Sequence, residues 1–261
     1  MITPLPIAGL ARLGRSTRHA FAEVGEISRL LWRSARYLPH IVRDRQLTID
    51  QMAHIGTDSL PLVLVIGFFT GMVSAWQAAY QFKGLMSLSF IGAAVSRAIF
   101  IELGPVLTAI VISGRVGASI AAELGTMKVT EQIDALEALA ISPARYLALP
   151  RILAAILMMP CLVTFANAIA LGGAFVVSNF FLGVTAKVFF DSVRQYFHLL
   201  DVLGGLTKAF FFGGMTALLG VHVGFKTSGG AEGVGASTIR AFVLSSAMVL
   251  ILDYILWMII F

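Results

Sequence analysis

One cysteine in 261 residues, Cys161, leaves no partner for an internal disulfide and no set of thiolates for a zinc cluster. Charge is scarce as well: 13% of residues are Asp, Glu, Lys or Arg, where soluble domains carry about 25%. The five histidines, His19, His40, His54, His198 and His222, are scattered and form no H-E-x-x-H pair, which argues against a metal site. No serine stands in G-x-S-x-G, the commonest esterase signature. The nearest approach to a phosphate-binding loop, Gly220 to Thr227, has the wrong spacing, so the chain is not expected to bind or hydrolyse ATP itself. The first 30 residues lack the apolar core and small-residue cleavage site of a secretory signal.

What the chain has instead is apolar length. The mean hydropathy is +0.88 and 58% of residues are hydrophobic, as expected of an integral membrane protein. Crossing about 30 Å of hydrocarbon takes roughly 20 apolar residues in a helix. Pro61 to Phe82 runs 22 residues without a charge, Ile152 to Ala186 runs 35, and Ala241 to Phe261 runs 21 with Asp253 as its ionisable group. The 35-residue run should emerge near Ser178 and Asn179. Ala209 to Phe225 becomes a full span once residues 202–208 are added. Residues 84–127 are apolar but carry Arg97, Glu102, Arg115 and Glu123 around Gly104-Pro105, and fit one long helix or two short ones. Lys and Arg of short loops collect on the cytoplasmic side. A single crossing places Lys128, Arg145, Arg151, Lys226 and Arg240 inside and Lys83, Lys187 and Arg194 outside, whereas two crossings reverse the bias. The expectation is an all-α integral membrane protein with five transmembrane helices, at about 60–82, 85–127, 150–178, 202–225 and 240–261. The N-terminus is then cytoplasmic and the C-terminus outside.

The formal charge of +5 is local, because eight of the nineteen basic residues are Arg within the first 45 positions. An Arg-rich stretch ahead of long uncharged runs suits one leaflet of a bilayer rather than nucleic acid. At 100° per residue, Arg29, Arg33 and Arg36 share one face, with Ile27, Leu30, Leu31, Leu38 and Ile41 opposite. Residues 1–59 are therefore expected to form a cytoplasmic segment with an interfacial amphipathic helix, and residues 60–261 the transmembrane domain.

Ionisable residues inside lipid cost about 2.5 to 3.5 kcal/mol each and normally face a partner or a cavity. Asp253 falls near the midplane if its helix starts at Ala241, where Arg97 or Arg115 would neutralise it. Gly114, Ala118 and Ala122 form one ridge of small residues and Gly117, Ala121 and Gly125 another, an arrangement for close helix packing. In the loop from Lys128 to Arg151, Thr130 is placed to cap a short helix whose acids, Glu131, Asp134 and Glu137, alternate with Ile133, Leu136 and Leu139. A second start signal follows at Ser142-Pro143. An acidic helix with an apolar row suits docking in a groove of a partner. The Gly-rich stretch Thr227 to Gly235 reads as a tight cytoplasmic turn.

The run ELGPVLTAIVISGRVGASIAAELGTMKVTEQIDALEALAISPARYLALPR, Glu102 to Arg151, resembles the signature of the MlaE/YrbE permease family, the membrane subunit of MCE-associated ABC lipid transporters. GAEGVGASTIRAFV (Gly230 to Val243) and LDYIL (Leu252 to Leu256) fit the same pattern, and the match extends from about Leu60 to the C-terminus. The resemblance implies a homodimer in a bacterial inner membrane, two cytoplasmic ABC ATPases that bind the ATP, a periplasmic MCE-domain protein and in some systems a STAS-domain protein. It implies phospholipid or a related lipid as cargo, carried between inner and outer membranes. It also implies that Glu131, Gln132, Asp134, Leu136 and Glu137 form the coupling helix. Members often place Arg directly before E-L-G-P, where this chain has Ile101; Arg97, one turn earlier, would supply that guanidinium. Arg97, Glu102, Tyr80 and Asp253 are the candidate cavity residues. A membrane-embedded lipid-modifying enzyme using Glu102 or Glu123, or a structural membrane anchor, are the alternative readings.

Overall fold

A computed structural model describes residues 5–40 and 44–260 of the chain. The described residues form helices and turns with no strand. Nine helices organise them: α1 (Leu5–Ala35), α2 (Arg45–Gly56), α3 (Leu60–Phe82), α4 (Leu88–Val129), α5 (Gln132–Ala138), α6 (Ala144–Phe180), α7 (Ala186–Gln195), α8 (Leu199–Phe225) and α9 (Gly230–Ile260). Five helical stretches are long and apolar enough to cross a membrane, ending in α3, α4, α6, α8 and α9. They run alternately up and down, so α1 and α5 lie at one end of the bundle and α7 at the other.

Small residues decide how these helices meet. The α3 row Gly67, Gly71, Ala75 faces the α6 row Ala166, Ala170, Ala174, and all but Gly67 and Gly71 of this set belong to the buried apolar core. A Cβ on Gly71 would lie 1.8 Å from the Ala170 carbonyl oxygen, so only glycine permits that approach. In lipid such backbone proximity, not apolar burial, holds helices together. The α6 helix is the central pillar, packed along α3 on one side and α8 on the other, while α9 lies across α4 and α8. Of the two rows on α4, Gly117, Ala121 and Gly125 meet α8 and its following turn through Thr216, Gly220, Gly224 and Thr227. Gly114, on the other row, faces Phe242 of α9; Ala118 is buried and Ala122 half-buried.

Residues 88–129 run as one continuous helix. It contains two π turns, Ile99–Leu103 and Ser113–Gly117. The first has a local cause: Pro105 lacks an N–H and its ring excludes the carbonyl four residues back, so the ladder shifts and the Gly104 N–H donates to Ile99 O. In the second, the Ala118 N–H reaches Ser113 O, and the Ser113 and Thr216 hydroxyls share a buried hydrogen bond of 3.0 Å.

The first helix has three faces rather than two. Ile27 and Leu30 pack against the main core, and Glu23 and Glu26 on the same side pair with Arg240 and Lys226. Phe21, Val24, Leu31 and Trp32 form an exposed apolar stripe, and Arg29, Arg33 and Arg36 fill the remaining arc, also exposed. The expected apolar side is thus divided, because half of it is needed to seat α1 on the bundle. Leu38 lies in a 3-10 turn beyond the helix, and Ile41 falls outside the described residues.

Two further expectations shift. Helix α6 continues to Phe180 before turning, and Asn179 Nδ2 donates to Val184 O to lead the chain into α7. The Gly-rich stretch is a turn only as far as Gly229: α9 begins at Gly230 and absorbs the rest of it.

Candidate functional site

Charge inside the bundle gathers at one place. Lys208 of α8, with no accessible side-chain surface, reaches Glu102 Oε1 at 2.6 Å and Asp253 Oδ1 at 2.8 Å. A rise of about 1.5 Å per residue puts Lys208 roughly 14 Å from the start of α8, well inside hydrocarbon depth. Three helices are needed to build this cluster. Glu102 sits in the first π turn of α4. Gly205, one turn before Lys208, lets α8 approach so closely that a Cβ there would be 2.1 Å from Phe100 O of the same π turn. Asp253 is contributed by α9, whose buried residues are Ala241, Ser245, Val249 and Leu256.

One ammonium between two carboxylates leaves the cluster with a formal charge of −1. A second pair lies beside it: Arg97 Nε donates to Asp201 Oδ2 at 2.9 Å. Asp201 and Lys208 are seven residues apart on α8, two turns along one face, and Arg97 and Glu102 answer them across the π turn. Asp201 is buried, whereas 51% of the Arg97 side chain stays accessible, so its guanidinium is partly open to the outside.

The structure corrects the expected partner of Asp253. Lys208 neutralises it, while Arg97 is engaged with Asp201 and Arg115 binds Ser59 and Asp58 far along α4. Because α9 starts at Gly230 and not at Ala241, Asp253 lies in the last third of its 31 residues, toward the α7 end. Glu102 and Asp253 are therefore brought together, Arg97 lies on the adjoining pair, and Tyr80 stands apart. Tyr80, 80% exposed, lines an apolar groove of about 550 Å³ with Phe69, Met72, Trp76 and Phe181. None of the clustered charges lines this groove.

Sequence reasoning missed Lys208 and Asp201. The signal was present, since Lys208 lies among the residues that must be added to lengthen the fourth span, and a buried ammonium demands carboxylates.

At the α1 end, acids and bases form a belt. Arg145 binds Asp44 through Nε at 2.7 Å and Nη2 at 3.1 Å, Arg151 binds Glu123 at 2.6 Å, and Lys128 binds Asp134 at 2.6 Å. With Lys226 on Glu26 and Arg240 on Glu23, each of the five basic residues that a single crossing of 84–127 places inside has an acidic partner here. The hydrogen bond from Lys226 holds the Glu26 carboxyl below the usual carboxylate range.

Helix α5 belongs to this belt and differs from expectation in two ways. Thr130 does not cap it: its hydroxyl donates to Thr126 O and closes α4, and Glu131 makes the turn with a left-handed φ of 61°. The apolar row also faces inward, with Ile133 buried and Leu136 against the main core. Leu139 alone of that row is presented outward, 71% exposed, together with Glu131, Gln132, Asp134 and Glu137. A loop helix of two turns is held this way because its inner side chains stitch it to the bundle, leaving an acidic rim with one apolar tip.

Among the described residues no group of His, Cys, Asp and Glu is arranged to hold a metal ion. Against known proteins, the family model described as Permease MlaE matches residues 48–259. The chain belongs to the MlaE permease family. It is 32% identical over 253 residues to the intermembrane phospholipid transport system permease protein MlaE of Haemophilus influenzae, covering 97% of each chain. It is 41% identical over 210 residues to a probable ABC transporter permease protein of Rickettsia typhi, covering 80% of this chain and 81% of that one. A probable ABC transporter permease protein of Synechocystis is 39% identical over 213 residues, covering 82% and 81%. The Lys208 cluster, the Arg97–Asp201 pair and the α5 rim lie within the part of the chain matched to the MlaE family, whereas Glu23, Glu26 and Asp44 of the belt precede it.

Proposed function

We propose that this chain is the membrane-spanning subunit of an ABC transporter that moves phospholipid or a related lipid between the inner and outer membranes of a bacterium. The observation that carries the reading is the Lys208 cluster with the half-open Arg97 beside it, set in helices whose other exposed faces are apolar. A lipid needs apolar walls for its tails and a few polar groups for its head.

Two copies related by a two-fold axis would enclose such a cavity. The support is α9, which packs inward through four buried residues and exposes Leu250, Ile251, Tyr254 and Met258 on its surface. Arg97, Glu102 and Asp253 would stand at the cavity's outer part, and the apolar groove by Tyr80 would offer a tail surface. The α1 end would face the cytoplasm, where the rim of α5 would sit in a groove of a separate ATPase that binds the ATP. An MCE-domain protein would cover the α7 end, and a STAS-domain protein would join in some assemblies. The chain itself would do no covalent chemistry with the Lys208 cluster, because Glu102 and Asp253 are both committed to one ammonium.

The test is reconstitution with the ATPase in liposomes and measurement of ATP-dependent lipid transfer. Glu131→Lys with Glu137→Lys should release the ATPase and stop transfer, since both acids are exposed and neither makes a salt bridge among the described residues. Unchanged ATPase binding would remove the coupling role of α5, and lipid conversion by the chain alone would favour the enzyme reading.

A further inference from the structure

Helix α1 leaves a feature that transport does not use. At 100° per residue, Phe21, Val24, Leu31 and Trp32 share an arc of about 100°, and Arg29, Arg33 and Arg36 follow directly beyond Trp32. None of these three guanidiniums makes a salt bridge among the described residues, although every basic residue of the neighbouring belt does, and Arg29 only adds to the field that Lys226 already sets on Glu26. They open instead onto two cavities of about 450 Å³ each that adjoin through Arg33 and Ser142.

The first cavity is a wedge between α1 and α5, walled by Arg29, Arg33, Lys128, Ile133 and Phe225. The second adds Arg36 and Tyr37. Two acids border the first: Glu26, already held by Lys226, and Glu137 on the rim. Lys128 is balanced by Asp134. Three unbalanced cations against Glu137 leave a local surplus of two positive charges. The start of α6, at Ser142, Pro143 and Ala144, also opens here and adds the positive end of a long helix. A basic hollow bordered on its other side by an exposed apolar stripe has the two-part chemistry of a lipid, head and tails.

We propose that the wedge between α1 and α5 binds the phosphate headgroup of an acidic phospholipid of the surrounding leaflet, with its tails along Phe21, Val24, Leu31 and Trp32. The ligand is a resident of the membrane and not cargo, since the wedge lies at the opposite end of the bundle from Lys208. Its occupant touches the anchor helix, the end of α4 through Lys128 and the base of α5 through Ile133, so the lipid braces α5 from behind. The inference stands without the ATPase, because it concerns a site completed by this chain and the bilayer.

Hydrogen exchange of residues 21–37 in the full chain, held in nanodiscs of phosphatidylglycerol or of phosphatidylcholine, tests it. Exchange should be slower in phosphatidylglycerol by about tenfold, the scale expected when several cations meet an anionic surface. Arg29→Gln, Arg33→Gln and Arg36→Gln together should erase that difference, while the matching Lys triple, which keeps the charge, should retain most of it and shows that the helix still docks. Equal protection in both lipids, or a Gln triple that behaves as wild type, overturns the site. Protection by inorganic phosphate alone, in phosphatidylcholine at matched ionic strength, would make it a free-anion site and overturn the lipid assignment. Loss of ATPase binding in the Gln triple with lipid protection unchanged would assign the Arg face to a protein partner instead.

Discussion

Replacing Lys208 by methionine leaves Glu102 and Asp253 facing each other without the cation between them. Both ion pairs are short, 2.6 and 2.8 Å, and the lysine is completely enclosed. Removing one member of a buried pair costs about 3–5 kcal/mol, because the remaining charge is stranded. A third of the Glu102 side chain and a fifth of Asp253 remain accessible, so solvent and proton uptake relieve part of this. The expected loss is therefore at the lower end, about 3 kcal/mol, which for a chain of this size lowers Tm by roughly 6–12 °C. A neutral cluster, Glu102→Gln, Lys208→Met and Asp253→Asn, should recover most of that, since uncharged groups of similar volume replace a buried ionic set at little cost. Thermal unfolding in detergent measures both variants, and ATP-driven lipid transfer measures what the charges do. The folded neutral variant should assemble and still fail to move lipid. A Lys208→Met protein that melts like wild type, or a neutral triple as unstable as the single variant, would refute the electrostatic account of the cluster.

Gly71→Leu should separate α3 from α6 and reduce stability by an amount typical of overpacking, about 1–3 kcal/mol or more, whereas Gly172→Leu, with nothing within 4 Å of its Cβ, should be tolerated; equal melting of the two would dispose of the small-residue seam. The depressed Glu26 carboxyl adds stability to α1 docking that is present above the unfolded value and disappears as pH falls through the folded one. Proteolysis within residues 5–35 should accordingly quicken on acidification through and below the ordinary carboxylate range, and Lys226→Met should flatten that dependence.

The long apolar runs were readable because the bilayer imposes one length on every crossing, and the charge bias of the loops was enough to choose a single helix for residues 88–129. The Gly117, Ala121, Gly125 ridge was readable because a spacing of four names a helix face. What the periodicity could not say is which of two partners an amphipathic helix serves: Ile27 and Leu30 turn to protein while Leu31 and Trp32 turn outward, from one apolar side. The α5 row misled for the same reason, since Ile133 and Leu136 have a use within the chain itself. Lys208 was hidden by its position in an otherwise apolar stretch. Its role follows only from three helices meeting, and the π turn that aims Glu102 depends on where Pro105 shifts the ladder.

That shifted ladder has a mechanical side. A π turn carries one residue more than the regular winding, and expelling it would swing everything beyond by about 100°. Both loops of slack in α4 lie between the belt at Glu123 and the start of the helix, and Arg97 hangs beyond the two of them. Its partner strut α8 runs as uninterrupted α-helix from Leu199 to Phe225. The bonds to Asp201 and Lys208 therefore work as a clasp: while they are closed, α4 cannot rewind, and any rewinding must open them.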